Sequence, residues 1–460
     1  MADNRKKPLH IAMYPWFAFG HLTSFLHLAN KLAEKHHKIS IFLPTKTQTK
    51  LASHNHHPNL ITFIPLTLPT VPGLPPEAET TNDLPPSAWP QLMDAMDMTR
   101  DIIDSHLSNL KPDFVFYDFA FWLPEVACKH GSKSICYYAT YLVNLAYGHP
   151  RSRNQPANHQ FTEAELMQPP PNSPCEAVRL LGCEARELSR VFKFEFGGGI
   201  SFLERITICF EAGDALAAKT CREMEGTYCH FVQQILKKPV LVIGPVVPES
   251  PASQLDHHFD CWLKEFGSAS VIYCALGSER VLDKDQFQDL VLGLELTGRP
   301  FLAALKPPTG YKTIESALPS GFEERTKGRG IVHGGWVQQQ LILQHPSVGC
   351  FVTHCGAGSL SEGMVSECQL VFLPQAVDQF LNARLMSLEL KVGVEVQKQE
   401  NDGFFTKEAV NKAVSTVMEE GNEIGKEVRS NHAKWRQFLL WEGLEESYMS
   451  SFIQSLQELL

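Results

Sequence analysis

The residues best able to do chemistry in this chain are gathered between Trp336 and Gln379, in WVQQQLILQHPSVGCFVTHCGAGSLSEGMVSECQLVFLPQAVDQ. Within it the apolar, β-branched run from Val348 to His354 reads as a strand, and SLSEGMVSEC from Ser359 reads as a helix with serine at its N-cap. His354, Cys355, Gly356, Ala357, Gly358 and Ser359 make the turn between them. Such a turn of small residues aims unpaired backbone N–H groups and the positive end of a helix dipole at one point, which is a phosphate site built without a metal. Gly356 and Gly358 let an anion approach the backbone closely. Glu362, in the first turn of the expected helix, offers a carboxylate to the two hydroxyls of a ribose, and His354 offers a donor to a diphosphate. Trp336, with Val337 beside it, follows the Gly334-Gly335 turn and presents an indole to a flat base whose edge Gln339 can read. Asp378 and Gln379 close the stretch with polar groups suited to a sugar. Base, ribose, diphosphate and sugar each find a partner.

Transfer from a nucleotide sugar requires an acceptor hydroxyl to lose its proton as it attacks the anomeric carbon. His21 follows the first strand, LHIAMYPW, at the head of an amphipathic helix, and imidazole is the side chain that exchanges a proton near neutrality. Asp118 ends the strand FVFYD at the same sheet edge, where a carboxylate can hold one imidazole nitrogen and stabilise the imidazolium. Each has a plainer use. A histidine there can cap a helix or sit at the surface, and Asp118 can cap a helix formed by FAFWLPEVA. Phe17 and Phe119 flank the pair as aromatic candidates for an acceptor wall.

Tryptophan, glutamine, HCG, serine, glutamate and a final DQ in this order resemble the donor-binding box of plant family 1 UDP-glycosyltransferases. The resemblance extends over essentially the whole chain. It implies the GT-B architecture, an α/β fold of two Rossmann-like domains with parallel sheets facing a central cleft. It implies His21 and Asp118 as the catalytic pair, Gly277-Ser278 as a second phosphate contact, and Thr140 as a hydroxyl against the donor sugar. The implied reaction inverts the anomeric centre and requires no metal or other cofactor. Three positions depart from the family: Ala357-Gly358 where Trp-Asn is usual, Gln338 for Pro, and Glu367-Cys368-Gln369 for Gly-Val-Pro. The first removes a side-chain amide from the phosphate, so backbone N–H groups must replace it, and it leaves the donor open among UDP-glucose, UDP-xylose, UDP-rhamnose and UDP-arabinose.

ELTGRPFLAALKPP, HCGAGS and SECQLVFLPQ further resemble the branch that extends flavonoid and anthocyanin glycosides, which implies a small glycoside as acceptor. Thr140, Tyr141, Asn144 and His149, near Phe119 and Trp122, offer the polar mouth and aromatic floor that a second sugar would use. A catalytically silent nucleotide-sugar binder is the rival, and retention of both His21 and Asp118 argues against it. A dehydrogenase is poorer, because no GxGxxG follows the first strand.

At 460 residues the chain has room for two or three domains. Its composition is that of a globular protein, and a net charge of −10 with no basic blocks argues against nucleic acid and acidic membranes as partners. No signal or transit peptide and no run of ~20 apolar residues is read, so a cytoplasmic location is expected; a monomer is the expected state, although nothing in the sequence fixes it. The twelve cysteines are irregularly spaced and read as buried thiols, and the histidine-rich pieces lack partners at a metal spacing. Asp283-Lys284-Asp285 looks like a metal motif, but Gln286 three residues on makes Asp283 a helix cap. The chain opens strand, helix, strand and continues through ISIFLP, LITFIPL, a helix around Ala95 to Asn109, DFVFYD and SICYYA. Residues 149–200 read as loops and short helices. A domain over 1–247 then hands over, after Pro248, to a second over 248–439, with a last helix near 440–460 returning to the first.

Overall fold

The structure is a computed structural model, and it describes residues 7–245, 247–248, 253–277 and 281–460. Thirteen described strands form two wholly parallel sheets. The first contains β1 (His10–Tyr14), β2 (Lys38–Pro44), β3 (Ile61–Leu66), β4 (Phe114–Tyr117), β5 (Lys133–Tyr138), β6 (Ala215–Ala218) and β7 (Val240–Val242), in the order β3-β2-β1-β4-β5-β6-β7. The second contains β8 (Val271–Ala275), β9 (Phe301–Ala304), β10 (Gly330–His333), β11 (Val348–Thr353), β12 (Gln369–Phe372) and β13 (Gly393–Glu395), in the order β10-β9-β8-β11-β12-β13. Every residue of β4, β6, β8 and β11 is buried, the pattern of parallel strands covered by helices on both faces. Strand order reverses between β1 and β4 in one sheet and between β8 and β11 in the other. Ligands of open parallel sheets bind where that reversal opens a crevice at the strands' carboxyl ends. His21 and Asp118 follow β1 and β4; Gly277 and His354 follow β8 and β11.

The last helix, Leu444–Leu459, belongs to the body of the first sheet. It opens on Gly443 at φ 94, a left-handed conformation that favours glycine. Met449, Phe452 and Leu456 then enter the core formed by β1, β4 and the first helix, Phe19–Glu34. The Phe452 ring meets Phe116 edge-on at 6.3 Å. The Tyr448 hydroxyl accepts the Arg222 N–H at 2.8 Å and donates to Glu223 at 2.5 Å.

Other parts differ from the sequence reading. β6 was not foreseen. The single helix expected around Ala95 to Asn109 is two, Trp89–Asp97 and Arg100–Leu110; at the break the Thr99 hydroxyl donates to the Met96 carbonyl and meets the Tyr14 hydroxyl at 2.6 Å. Residues 149–200 hold a twelve-residue helix, Gly182–Lys193, docked on the second unit: Cys183 N–H donates to the Glu400 carbonyl at 3.1 Å, and Arg384 donates to the buried Glu184 at 2.8 Å. Asp283 caps the helix Lys284–Leu296 by accepting the Gln286 N–H at 2.8 Å. The linker expected after Pro248 lies partly outside the described residues. No described helix is long and apolar enough to cross a membrane.

Phe452→Ala removes a ring that is 1% exposed from the contact between the last helix and the first sheet. A loss of about 3–5 kcal/mol is expected, lowering the thermal midpoint by ~10 °C in a melting experiment; an unchanged midpoint would show that this helix does not stabilise the unit.

Candidate active site

On the first sheet the site is built around Asp118. Its Oδ1 accepts the Trp16 and Phe119 N–H groups, each at 2.7 Å, so one carboxylate oxygen ties together the chain leaving β1 and the chain leaving β4. Its Oδ2 lies 2.7 Å from Nδ1 of His21. The carboxylate side chain is 7% exposed and the imidazole 32%, so a shielded anion orients a base that solvent and ligand can reach. With Nδ1–H donated to Asp118, Nε2 keeps its lone pair for a proton. Asp118 caps nothing, since the next helix, Leu123–Lys129, begins five residues later.

Of the expected aromatic wall, only Phe119 meets the dyad, edge-on to His21 at 5.5 Å. It continues into Trp16 at 6.1 Å, Phe196 at 5.7 Å and Phe202 at 5.8 Å, rings that the sequence reading did not single out. Phe17 is instead wholly buried against Tyr14 and Trp16, because its place in the strand-to-helix turn points it into the core. Trp122 is also core: it packs on Tyr14, and its indole N–H donates to Asp97 at 2.9 Å. His149 is buried against Phe210, and its Nδ1 accepts the Arg151 N–H to cap the turn Pro150–Arg153. Burial, with Arg151 nearby, lowers it to about 3, so it is a neutral cap apart from the His21 cluster.

On the second sheet the helix after β11 runs Ala357–Val365, its cap three residues earlier than expected. Its N-cap is Gly356, Ser359 lies in the first turn, and Glu362 in the second. The turn is made by Cys355 at φ 68, and His354 is clasped between glycines: a Cβ on Gly277 or on Gly356 would stand 2.6 Å from its Nε2. Burial lowers His354 to about 4, against the opposing pull of the Ala275 backbone, so it serves as a neutral hydrogen-bonding group. Its Nδ1 is buried without a partner among the described residues. Ser278 lies outside the described residues. Gln339 turns inward, its amide nitrogen donating to Glu362 at 2.6 Å and to Ser359 at 3.0 Å while its oxygen accepts from Tyr273 at 3.2 Å. It therefore positions the ribose candidate Glu362, whose carboxyl burial pushes up against the effect of that amide. Trp336 is 84% exposed, an indole free to receive a flat ligand, and the Val337 carbonyl accepts the Gln339 N–H at 2.9 Å. Gln338, at the position of the family's proline, accepts the Asp256 N–H at 2.6 Å and donates to the Gln254 carbonyl at 2.8 Å.

The two halves meet at Asp378. Val377 sits at φ 31, a strained value for a β-branched residue, and the helix Asp378–Arg384 starts immediately after it. Gln379 holds this turn by accepting the Gln375 and Ala376 N–H groups at 2.9 and 3.1 Å. Asp378 accepts from the Thr140 hydroxyl of the first unit at 3.1 Å and from Asn382 at 3.3 Å. Burial raises its carboxyl, with Thr140, Asn382 and the His21 imidazole acting against that. Asn382, one helical turn after Asp378, also donates to the Cys355 carbonyl at 3.0 Å and accepts from Asn144 at 2.7 Å. The i, i+4 spacing of Asp378 and Asn382 was the signal that could have marked it.

The Ala357–Val365 helix is backed by His432, whose Nε2 is 3.2 Å from the Gly363 carbonyl and which burial lowers to about 4. A neutral buried histidine binds its proton in the unfolded chain first, so its stabilisation is full above about pH 6.5 and is lost as pH falls toward about 4. The stability lost between pH 7 and 4.5 in denaturant titrations should be about 2–3 kcal/mol smaller for His432→Gln than for the parent; equal losses would contradict the assignment.

Residues 241–428 match the family described as UDP-glucoronosyl and UDP-glucosyl transferase. The chain is 54% identical over 451 residues to a cyanidin 3-O-galactoside 2''-O-xylosyltransferase of Actinidia chinensis var. chinensis, covering 98% of each chain. It is 52% identical over 452 residues to an anthocyanidin 3-O-glucoside 2''-O-glucosyltransferase of Ipomoea nil, again covering 98% of each. In fold it is similar to a UDP-glucosyltransferase of Polygonum tinctorium capable of glucosylating indoxyl, with a TM-score of 0.79 at 22% identity over 99% of each chain. With likeness to curated relatives at this level over nearly its full length, the chain belongs to the UDP-glucoronosyl and UDP-glucosyl transferase family and is a GT-B UDP-glycosyltransferase.

Proposed function

We propose that this enzyme transfers a sugar from a UDP-sugar to a hydroxyl of the sugar on a flavonoid 3-O-glycoside, with inversion and without a divalent metal. The observation that carries the proposal is the His21–Asp118 pair at one strand-order reversal, with Asp378 of the second unit accepting from the Thr140 hydroxyl of the first. The acceptor hydroxyl gives its proton to Nε2 of His21 as its oxygen forms a bond to the anomeric carbon. The bond from that carbon to the diphosphate oxygen breaks on the opposite face, which inverts the centre. Asp118 stabilises the imidazolium. The departing UDP is met by the N–H groups opening the Ala357–Val365 helix, by Ser359 and by neutral His354, donors fixed before the reaction begins.

Trp336 stacks on the uracil, Glu362 takes the ribose, and Asp378 and Gln379 take the sugar. Phe119 and Phe202, both half-buried, form the acceptor floor. The relatives named for galactoside and glucoside acceptors support a glycoside here, and their xylosyl and glucosyl names favour UDP-xylose or UDP-glucose over UDP-rhamnose and UDP-arabinose. The same proposal has the enzyme working as a cytoplasmic monomer.

His21→Ala should lower turnover about 10²-fold to 10⁴-fold while UDP affinity, read by calorimetry, barely moves; near-normal turnover would remove His21 as the base. Glu362→Ala should do the reverse, weakening UDP binding more than turnover of the bound complex.

For the acceptor, kcat/KM is compared between an anthocyanidin and its own 3-O-glucoside under one donor. The glucoside should be the better substrate, and preference for the bare aglycone would overturn the assignment.

A further inference from the structure

Three consecutive glycines, Gly197, Gly198 and Gly199, stand at φ 77, 66 and 71, left-handed values that let the chain from Phe194 to Phe202 fold back on itself. The Phe196 N–H donates to the Ile200 carbonyl at 3.0 Å and the Phe202 N–H to the Phe194 carbonyl at 2.8 Å, and Glu195 pairs with Ser201 as an antiparallel bridge. Closing the loop this way brings the Phe196 and Phe202 rings to 5.4 Å, and both meet Phe119, the ring that is edge-on to His21. The aromatic wall beside the dyad is therefore only as fixed as this loop.

Arg205 ties the loop down. It lies in the first turn of the helix Phe202–Ala212 and is wholly buried. Two of its nitrogens grip Asp97, Nη2 at 2.6 Å and Nη1 at 3.1 Å, so the buried charge has its counter-charge. The same nitrogens also donate to the two sides of the wall, Nη1 to the Phe119 carbonyl at 3.2 Å and Nη2 to the Gly197 carbonyl at 2.9 Å. Phe119 is thereby held at both ends, since its N–H donates to Asp118. Asp97 is braced in turn by the Trp122 indole N–H at 2.9 Å, and Asp94 accepts the Gly198 N–H at 2.7 Å. A planar fork of donors can join one carboxylate and two carbonyls, whereas a lysine ammonium, a point charge on a flexible stem, has no such fork.

We infer that Arg205 is a positioning residue for the acceptor. Through the Phe119 and Gly197 carbonyls it holds Phe119, Phe196 and Phe202 as one wall, against which the flat aglycone of the glycoside lies while the sugar hydroxyl meets Nε2 of His21. Phe119 and Phe202 are half-buried and keep faces for such a contact, and Phe196, 4% exposed, backs them. The inference rests on the acceptor floor proposed above. It adds that the geometry of that floor is set from beneath by the Arg205–Asp97 pair.

The test is steady-state kinetics of the full-length protein with an anthocyanidin 3-O-glucoside as the varied acceptor under saturating UDP-sugar, with UDP affinity read by calorimetry. Arg205→Lys keeps the charge and loses the fork. Its acceptor KM should rise about tenfold to a hundredfold, while kcat and UDP affinity stay within a few-fold of the parent. Melting without ligand checks that the variant is folded. If it is not, Gly198→Ala takes its place and should show the same split, because a Cβ there would stand 3.4 Å from Nη2 of Arg205 at an exposed, left-handed position of the loop. A folded variant with the parent's acceptor KM overturns the inference, as does equal loss of acceptor and UDP binding, which marks a merely structural role. Phe202→Ala separates the two levels. A raised KM there with none in Arg205→Lys sinks this inference and leaves the floor standing, and an unchanged KM in Phe202→Ala sinks the acceptor floor itself.

Discussion

Asn382 is wholly buried, and both ends of its amide are committed to the site. It donates to the Cys355 carbonyl in the phosphate turn and to Asp378, and it accepts from Asn144 in the first unit. One side chain therefore sets the distance between the Cys355 turn, the Asp378 carboxylate and the opposite wall of the cleft. Leaving a buried partner of this kind unpaired costs about 1–3 kcal/mol, enough to hold neighbouring backbone in poor conformations. Two such conformations adjoin it, Cys355 at φ 68 and Val377 at φ 31. Strain of this sort persists only where the surroundings over-determine it, and here the surroundings are this hydrogen-bonded group.

The division of labour between the two sheets follows from what each reversal point presents. The first presents an imidazole, His21, oriented by a shielded carboxylate. The second offers hydrogen-bond donors with little net charge: His354 is held neutral by burial, and the helix start supplies N–H groups. In the proposed reaction, charge that develops on the leaving diphosphate is met by fixed dipoles, which act most strongly where water has limited entry. Further contacts between the halves, through Arg384 with Glu184 and Tyr228 with Glu389, keep the reversal points facing one another.

Much of this was legible in the sequence because parallel strands are continuous apolar runs and the chemistry sits at their ends. VGCFVTH and FVFYD mark β11 and β4 by composition, and His354 and Asp118 follow directly. β6 escaped notice because ALAA is short and alanine carries no β-preference; only its neighbours β5 and β7 make it a strand. The helix at the phosphate turn was read three residues late because Ser359 is the better N-cap by type, whereas the structure uses Gly356, the residue that also leaves room for the His354 ring. Phe17, Trp122 and His149 were misplaced for one reason. Proximity in sequence to a strand end does not say which way a side chain faces, and all three face inward. Asn382 was marked in the sequence only by its i, i+4 spacing from Asp378, because its partner across the cleft, Asn144, stands more than two hundred residues away.

The central claim is that protein groups alone activate the acceptor and receive the leaving diphosphate in a single displacement. The anomeric configuration of the product formed by purified protein in excess chelator tests it most directly. Nuclear magnetic resonance of the glycoside product should show the configuration opposite to that of the UDP-sugar, formed at an undiminished rate. Retention of configuration, or loss of the reaction on chelation with recovery on adding a divalent cation, would contradict the account.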